Sequence, residues 1–198
     1  MSSQATKVKG SARERILEVA TELFFQQGFR ATGINEVIEK SGVAKATFYN
    51  HFPTKDDLCR EYLIGLRKGE ERYLDNAIGA AKGPVNRFLA PIRSIGPWLK
   101  DTKFRGCPFV NIAAEVPDYK SPLRKEGMRV YDEARARIEM VTKELLDSDP
   151  DQYGHLDWKQ LSNDYTLLFT GTISLAEIYH EIWPVEQAEK AVKRLIGK

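Results

Sequence analysis

The chain is poor in the residues that carry most catalytic and metal chemistry. Among 198 residues there are three histidines, His51, His155 and His180, and two cysteines, Cys59 and Cys107. No HxxxH or CxxC spacing occurs, so neither a metal site nor a cofactor is expected. Two cysteines cannot build a disulfide framework. They suit a reducing compartment, and the cytoplasm is the expected location. Long hydrophobic runs are also missing. The longest apolar stretch, Leu167 to Tyr179, is interrupted by Thr170, Thr172, Ser174 and Glu177. It falls short of the roughly 20 apolar residues of a membrane span, so no membrane partner is expected. The segment Met1 to Arg15 has charges but no apolar centre, and no signal peptide is expected. Charge of one sign is absent as well: 30 Lys and Arg face 28 Asp and Glu, a net charge of +2. Any nucleic-acid surface must therefore be a local patch. Several β-branched runs with two-residue alternation are lacking, as is any fixed repeat, which predicts an all-α fold.

What is present is helical punctuation. Ile16, Leu17, Ala20, Leu23 and Phe24 recur at three- and four-residue steps and define one helix face. Ser11 and Glu14 have capping-box spacing, and Gly28 stops that helix. A second helix is predicted over Ile34 to Lys40 with Thr32 as its cap, and a third over Lys45 to His51, blocked by Pro53. A fourth runs from Lys55 to about Asn76. Gly79, Gly83 and Pro84 then mark a boundary. Further helices are predicted over Pro84–Leu99, Pro108–Glu115, Pro122–Leu146, Trp158–Ile182 and Pro184–Ile196, the first of them kinked or split by Pro91.

The segment Thr32 to Lys55 is the most informative. Two short helices flank a turn at Ser41-Gly42-Val43, the spacing of a helix-turn-helix. Phe48 and Phe52, four apart, face inward. Lys45, Ala46, Thr47, Tyr49, Asn50 and His51 face outward. From Lys40 to Lys55 there are three lysines and one histidine but no acid. Such a surface suits a helix in the DNA major groove: lysine for phosphates or guanine, Ala46 and the Thr47 methyl for thymine methyls, Asn50 for adenine, Tyr49 and His51 for phosphate oxygens. The same residues also fit a packed helical corner with an aromatic core.

The pattern Gly42-Val43-x-Lys45-x-Thr47-Phe48-Tyr49-x-His51-Phe52-x-x-Lys55-x-x-Leu58 resembles the DNA-binding domain of the TetR family of transcriptional regulators. The upstream Ile16-Leu17-x-x-Ala20-x-x-Leu23-Phe24-x-x-x-Gly28-Phe29-x-x-Thr32 is similar to that family's opening, and the likeness covers about residues 13 to 60. It departs at Ala44, where relatives often place a capping Ser, and at Gly33, where a hydroxyl residue is frequent. The resemblance implies a repressor acting as a homodimer on a palindromic double-stranded operator, released by a small-molecule effector. Thr32, Gly33 and Lys55 join the outward residues of the third helix as expected DNA contacts. The implied architecture is a flexible basic tail over 1–10, a three-helix DNA-binding domain over 11–55, a linker helix over 55–76, and a helical effector-binding and dimerisation part over 77–198.

In that last part the residues show a surplus of bulky apolar side chains, readable as core or as the wall of an effector pocket. The expected pocket comprises Phe88, Ile92, Trp98, Phe104, Cys107, Phe109, Val110, Tyr131 and Phe169. The expected dimer interface comprises Leu161, Tyr165, Leu168, Phe169, Thr172, Ile173, Ala188, Val192 and Leu195, unless these form intrachain core. A Gly-Cys pair opening the sixth helix also occurs in one branch of the family, where some members sense electrophiles or oxidants. At that helix start, with Arg105 nearby, Cys107 is expected to have a lowered pKa, the alternative being a small packed side chain. A nucleophile–base pairing of Cys107 with His155 or His180 would define an enzyme, but nothing in the sequence brings these residues together, and no catalytic residue is assigned.

Overall fold

The first helix, α1 (Ala12–Gln27), begins where the sequence says it should. The Ser11 hydroxyl accepts from the Glu14 N–H at 3.3 Å and the Glu14 carboxylate accepts from the Ser11 N–H at 2.7 Å, closing a capping box. The computed structural model describes residues 10–198, so the tail expected over 1–10 lies outside the described residues except for Gly10. Gly28, at φ +92°, turns the chain out of α1. Next come α2 (Ile34–Ser41) and α3 (Lys45–His51), joined through Gly42 in the left-handed conformation. That conformation is open to glycine without steric penalty.

The cap of α2 differs from expectation. Gly33, not Thr32, is the N-cap, and the buried Thr32 hydroxyl donates to the Gly28 carbonyl at 2.8 Å. The hydroxyl is used to tie the preceding turn together. The long helix α4 (Lys55–Ala80) continues past Asn76 and through Gly79, because leucines and an isoleucine keep its inward stripe going to Leu74 and Ile78.

The remaining helices are α5 (Pro84–Asp101), α6 (Pro108–Glu115), α7 (Pro122–Ser148), the short α8 (Pro150–Tyr153), α9 (Trp158–Tyr179) and α10 (Trp183–Leu195). Five of these six place proline at the first or second position, where its missing N–H has no intrahelical partner to lose. The expectation that α9 reaches Ile182 is corrected: His180 turns left-handed, at φ 57°, and stops it. No strand occurs among the described residues, and none of their helices is long and apolar enough to cross a membrane.

Pro91, expected to kink or split α5, does not split it, and the reason lies on another helix. The Tyr165 hydroxyl of α9 accepts from the Ile92 N–H at 3.0 Å and donates to the Phe88 carbonyl at 2.9 Å. It inserts into the hydrogen-bond ladder where proline disturbs it and satisfies both backbone groups, so the helix carries on.

Two apolar cores result. One joins α1 to α4 with Phe109 and Ile112 of α6 and Leu123 of α7. The other is built from α5, α7, α9 and α10. Between them, the carboxylate of Glu126 on α7 lies buried among Arg60, Arg67 and Arg129, at 3.6, 3.6 and 2.8 Å. It fastens α7 to α4, the helix that leads to the N-terminal domain.

Candidate functional site

Helix α3 presents the surface its sequence predicts. Phe48 and Phe52 are wholly buried, with rings 6.2 Å apart. They hold Lys45, Ala46, Tyr49, Asn50 and His51 out to solvent, with Thr47 half-buried beside them. Neither α2 nor α3 has a side-chain cap at its N-terminus, so the first-turn N–H groups behind Gly33 and Ala44 remain open to an anion.

Two expected DNA contacts are placed otherwise. Thr32 is buried and its hydroxyl engaged, as above. The Lys55 ammonium lies 4.5 Å from the Phe29 ring centroid and donates to the Arg30 carbonyl at 3.4 Å. Burial lowers its pKa. The first turn of α4 also carries Asp56 and Asp57, and Thr54 and Asp57 form its capping box. A phosphate at Lys55 would also meet these carboxylates.

The C-terminal part holds a cavity, open to solvent, walled by α4, α5, α6, α7 and α9. Of the expected pocket residues, Trp98, Cys107, Phe109, Tyr131 and Phe169 line it. Four do not. Phe88 and Ile92 are sealed in the second core, with Phe88 edge-on to Tyr165. Phe104 packs against His180, ring centroids 4.9 Å apart. Val110 is exposed on the outer side of α6. The lining that sequence reading missed joins Glu70, Glu71 and Tyr73 on α4 and Glu133 and Arg137 on α7 to the apolar Leu74, Ile95, Val130, Ala134 and Ile173. A signal for Glu70 was available, since it falls within the inward three- and four-residue steps of Leu63, Leu66 and Leu74.

Cys107 reaches the cavity wall, where its sulfur accepts a hydrogen bond from the Tyr131 hydroxyl at 3.5 Å. Its expected activation is not found. Burial pushes the thiol pKa up, outweighing the bonds from Tyr131 and from the Val110 and Phe109 N–H groups that pull it down. Arg105 is turned away, donating to the Phe25 and Gln26 carbonyls at 3.0 and 3.3 Å. Burial raises the Cys59 thiol in the same way.

These contacts make α6 a bridge. Just ahead of its N-terminal end, Arg105 donates to the Phe25 and Gln26 carbonyls in the last turn of α1. At its C-terminal end the Glu115 carboxylate accepts from the Phe29 N–H at 3.2 Å and the Arg30 N–H at 2.5 Å. The same helix carries Phe109 on the cavity wall. One short element thus touches both the cavity and the turn between α1 and α2.

The expected dimer-interface residues prove to be mostly internal. Leu161, Tyr165, Thr172, Ala188 and Val192 are buried in the second core, and Leu168, Phe169, Ile173 and Leu195 pack against it half-buried. The opposite face of α9 is the apolar one left uncovered. Leu167 is 72% exposed and Ile178 73%, with Leu175, Tyr179 and Trp183 alongside. Both faces of α9 are apolar, and packing within the chain uses the face expected to be external.

Residues 16–62 match the model of the bacterial regulatory proteins of the tetR family. The chain is 30% identical to the uncharacterized HTH-type transcriptional regulator YxaF of Bacillus subtilis over 62% of its own length and 65% of that protein's. It is 31% identical to the HTH-type transcriptional regulator LmrA of the same organism, over 63% and 67%. It thus spans about two thirds of the length of these curated relatives. Among solved structures it is similar to SCO4454, a TetR-family transcriptional regulator from Streptomyces coelicolor, with a TM-score of 0.82, 25% identity, and coverage of 93% of this chain and 94% of that one. With its helix-turn-helix and its all-helical C-terminal part, the chain belongs to the tetR family of bacterial regulatory proteins.

Proposed function

We propose that the protein is a transcriptional repressor that binds a palindromic operator as a homodimer and is released by a small molecule held in the central cavity. The observation that carries the DNA reading is the outward face of α3: acid-free, exposed, and anchored from behind by Phe48 and Phe52. An α-helix bearing Lys45, Thr47, Tyr49 and Asn50 fits the major groove. The uncapped N-terminus of α2 would receive a flanking phosphate through backbone N–H groups at Gly33 and beyond.

The uncovered stripe of Leu167, Leu175 and Ile178, with Tyr179 and Trp183, supports pairing of two subunits through α9 and α10. Release follows if the ligand favours the arrangement of the two reading heads that does not fit the operator. Helix α6 is the route by which occupancy of the cavity would reach the turn after α1.

A gel-shift titration on the chain's own upstream DNA tests the reading. Lys45→Ala or Tyr49→Ala should weaken operator binding by about 1–3 kcal/mol with the fold intact. Unchanged affinity in both variants, with circular dichroism confirming folding, would overturn the assignment of α3.

A further inference from the structure

The central cavity combines an apolar, aromatic wall with one carboxylate, Glu70, that lacks a cation among the described residues. Glu70 is half-buried, and the one hydrogen bond it receives among the described residues comes from a neutral group, the Trp98 indole N–H, at 3.0 Å. No Lys, Arg or His lies within ion-pair distance of Glu70 among the described residues. Glu133, also in the wall, gives one oxygen to Arg67 at 2.5 Å, while its other oxygen is buried with no hydrogen-bond partner. Arg137, the wall's single cation, is already engaged. Its guanidinium donates to Asp75 at 2.6 and 3.0 Å and to Glu71 at 3.0 Å.

We propose that this cavity takes an organic cation with an aromatic or bulky apolar body, with Glu70 as counter-ion and the rings of Trp98, Phe109, Tyr131 and Phe169 around the apolar part. The proposal rests on the reading of the cavity as an effector site and adds the charge of the effector. A partly desolvated carboxylate without a cation is unfavourable, and the fold carries that burden at Glu70. Burial accordingly holds the Glu70 carboxyl above the ordinary carboxylate range. A cation arriving beside it removes the burden, whereas a neutral ligand leaves it in place. An anion would face the unpaired carboxylate of Glu70, with the Arg137 guanidinium already engaged by Asp75 and Glu71. Aromatic faces add to the preference, because their negative quadrupole attracts a cation within about 6 Å of the ring centre.

The test is calorimetric titration of the full chain with three probes of similar shape: phenyltrimethylammonium, its neutral carbon isostere tert-butylbenzene, and anionic benzenesulfonate. The ammonium is expected to bind about tenfold tighter than the isostere or better, and benzenesulfonate more weakly than either. Glu70→Gln keeps an acceptor for the Trp98 N–H and nearly the same volume. It should reduce ammonium affinity about tenfold while leaving tert-butylbenzene within about twofold. Equal affinity for ammonium and isostere, or an ammonium affinity indifferent to Glu70→Gln, would overturn the cation assignment while the effector cavity stands. Failure of all three probes to bind at millimolar concentration would overturn both.

Discussion

Replacing Glu115 with alanine removes the carboxylate by which α6 holds the turn after α1. Two backbone N–H groups lose their acceptor, those of Phe29 and Arg30, which donate to its two oxygens at 3.2 and 2.5 Å. A hydrogen bond to a charged group contributes about 1.5–3 kcal/mol when well buried. Arg30 is exposed and Phe29 only half-buried, so water can take over much of the lost bonding. The expected loss is therefore about 1–2 kcal/mol in all. For a chain of this length that lowers the melting temperature by about 2–8 °C. Global melting alone would not distinguish this clamp from general damage, so the informative measurement is amide hydrogen exchange. Exchange should accelerate at Phe29 and Arg30 and leave the α5–α9 core unchanged. Arg105→Ala, which frees the Phe25 and Gln26 carbonyls at the end of α1, should loosen the same turn from its other side. If exchange at Phe29 and Arg30 in Glu115→Ala matches the wild type, α6 does not restrain the DNA-binding domain there and the proposed route fails.

Three other outcomes are expected. Tyr165→Phe leaves the Ile92 N–H and Phe88 carbonyl without their buried partner beside Pro91; stability should fall by about 1–3 kcal/mol, and an unchanged urea midpoint would refute the splice. Ile178→Glu places charge in the exposed stripe of α9, and sedimentation should shift from twice the 22.5 kDa chain mass towards one chain; a wild type that is already monomeric at micromolar concentration would refute the interface. The raised Glu70 pKa means that the folded chain keeps a proton the unfolded chain gives up, so this group makes stability fall as pH climbs from near its ordinary 4.5 through the raised value. Glu70→Gln lacks that loss and should gain on the wild type as pH rises; a stability difference that does not vary with pH would contradict the burial of this carboxyl.

Much of the fold was legible because its signals are local. Ser11 with Glu14, Gly28, Gly42, and the prolines that open α5, α6 and α7 each act within a few residues, through caps, left-handed turns and missing N–H groups. The four-residue spacing of Phe48 and Phe52 fixes which face of α3 turns outward, so the candidate DNA surface could be named residue by residue. Thr32 was the local failure. A hydroxyl before a helix can cap it or close the turn behind it, and the path of the chain from Gly28 decided for the latter.

The composition of the cavity and the choice of face on α9 were beyond any local rule. Helix α9 is apolar on both sides, and its sequence alone does not say which side meets α5 and α10. The Tyr165 hydroxyl settles the matter by reaching the ladder beside Pro91, far away in sequence, which buries the Leu161–Tyr165–Thr172 side and leaves Leu167 and Ile178 bare. Likewise α6 lies within the C-terminal part of the chain, yet its Phe109 and Ile112 fill the core of the N-terminal domain. Glu70 reads as one more acid on a charged helix until α5 and α7 close around it. Helix caps and turns depend on neighbours along the chain, whereas burial depends on which distant helices arrive, and the sequence determines that only through their joint packing.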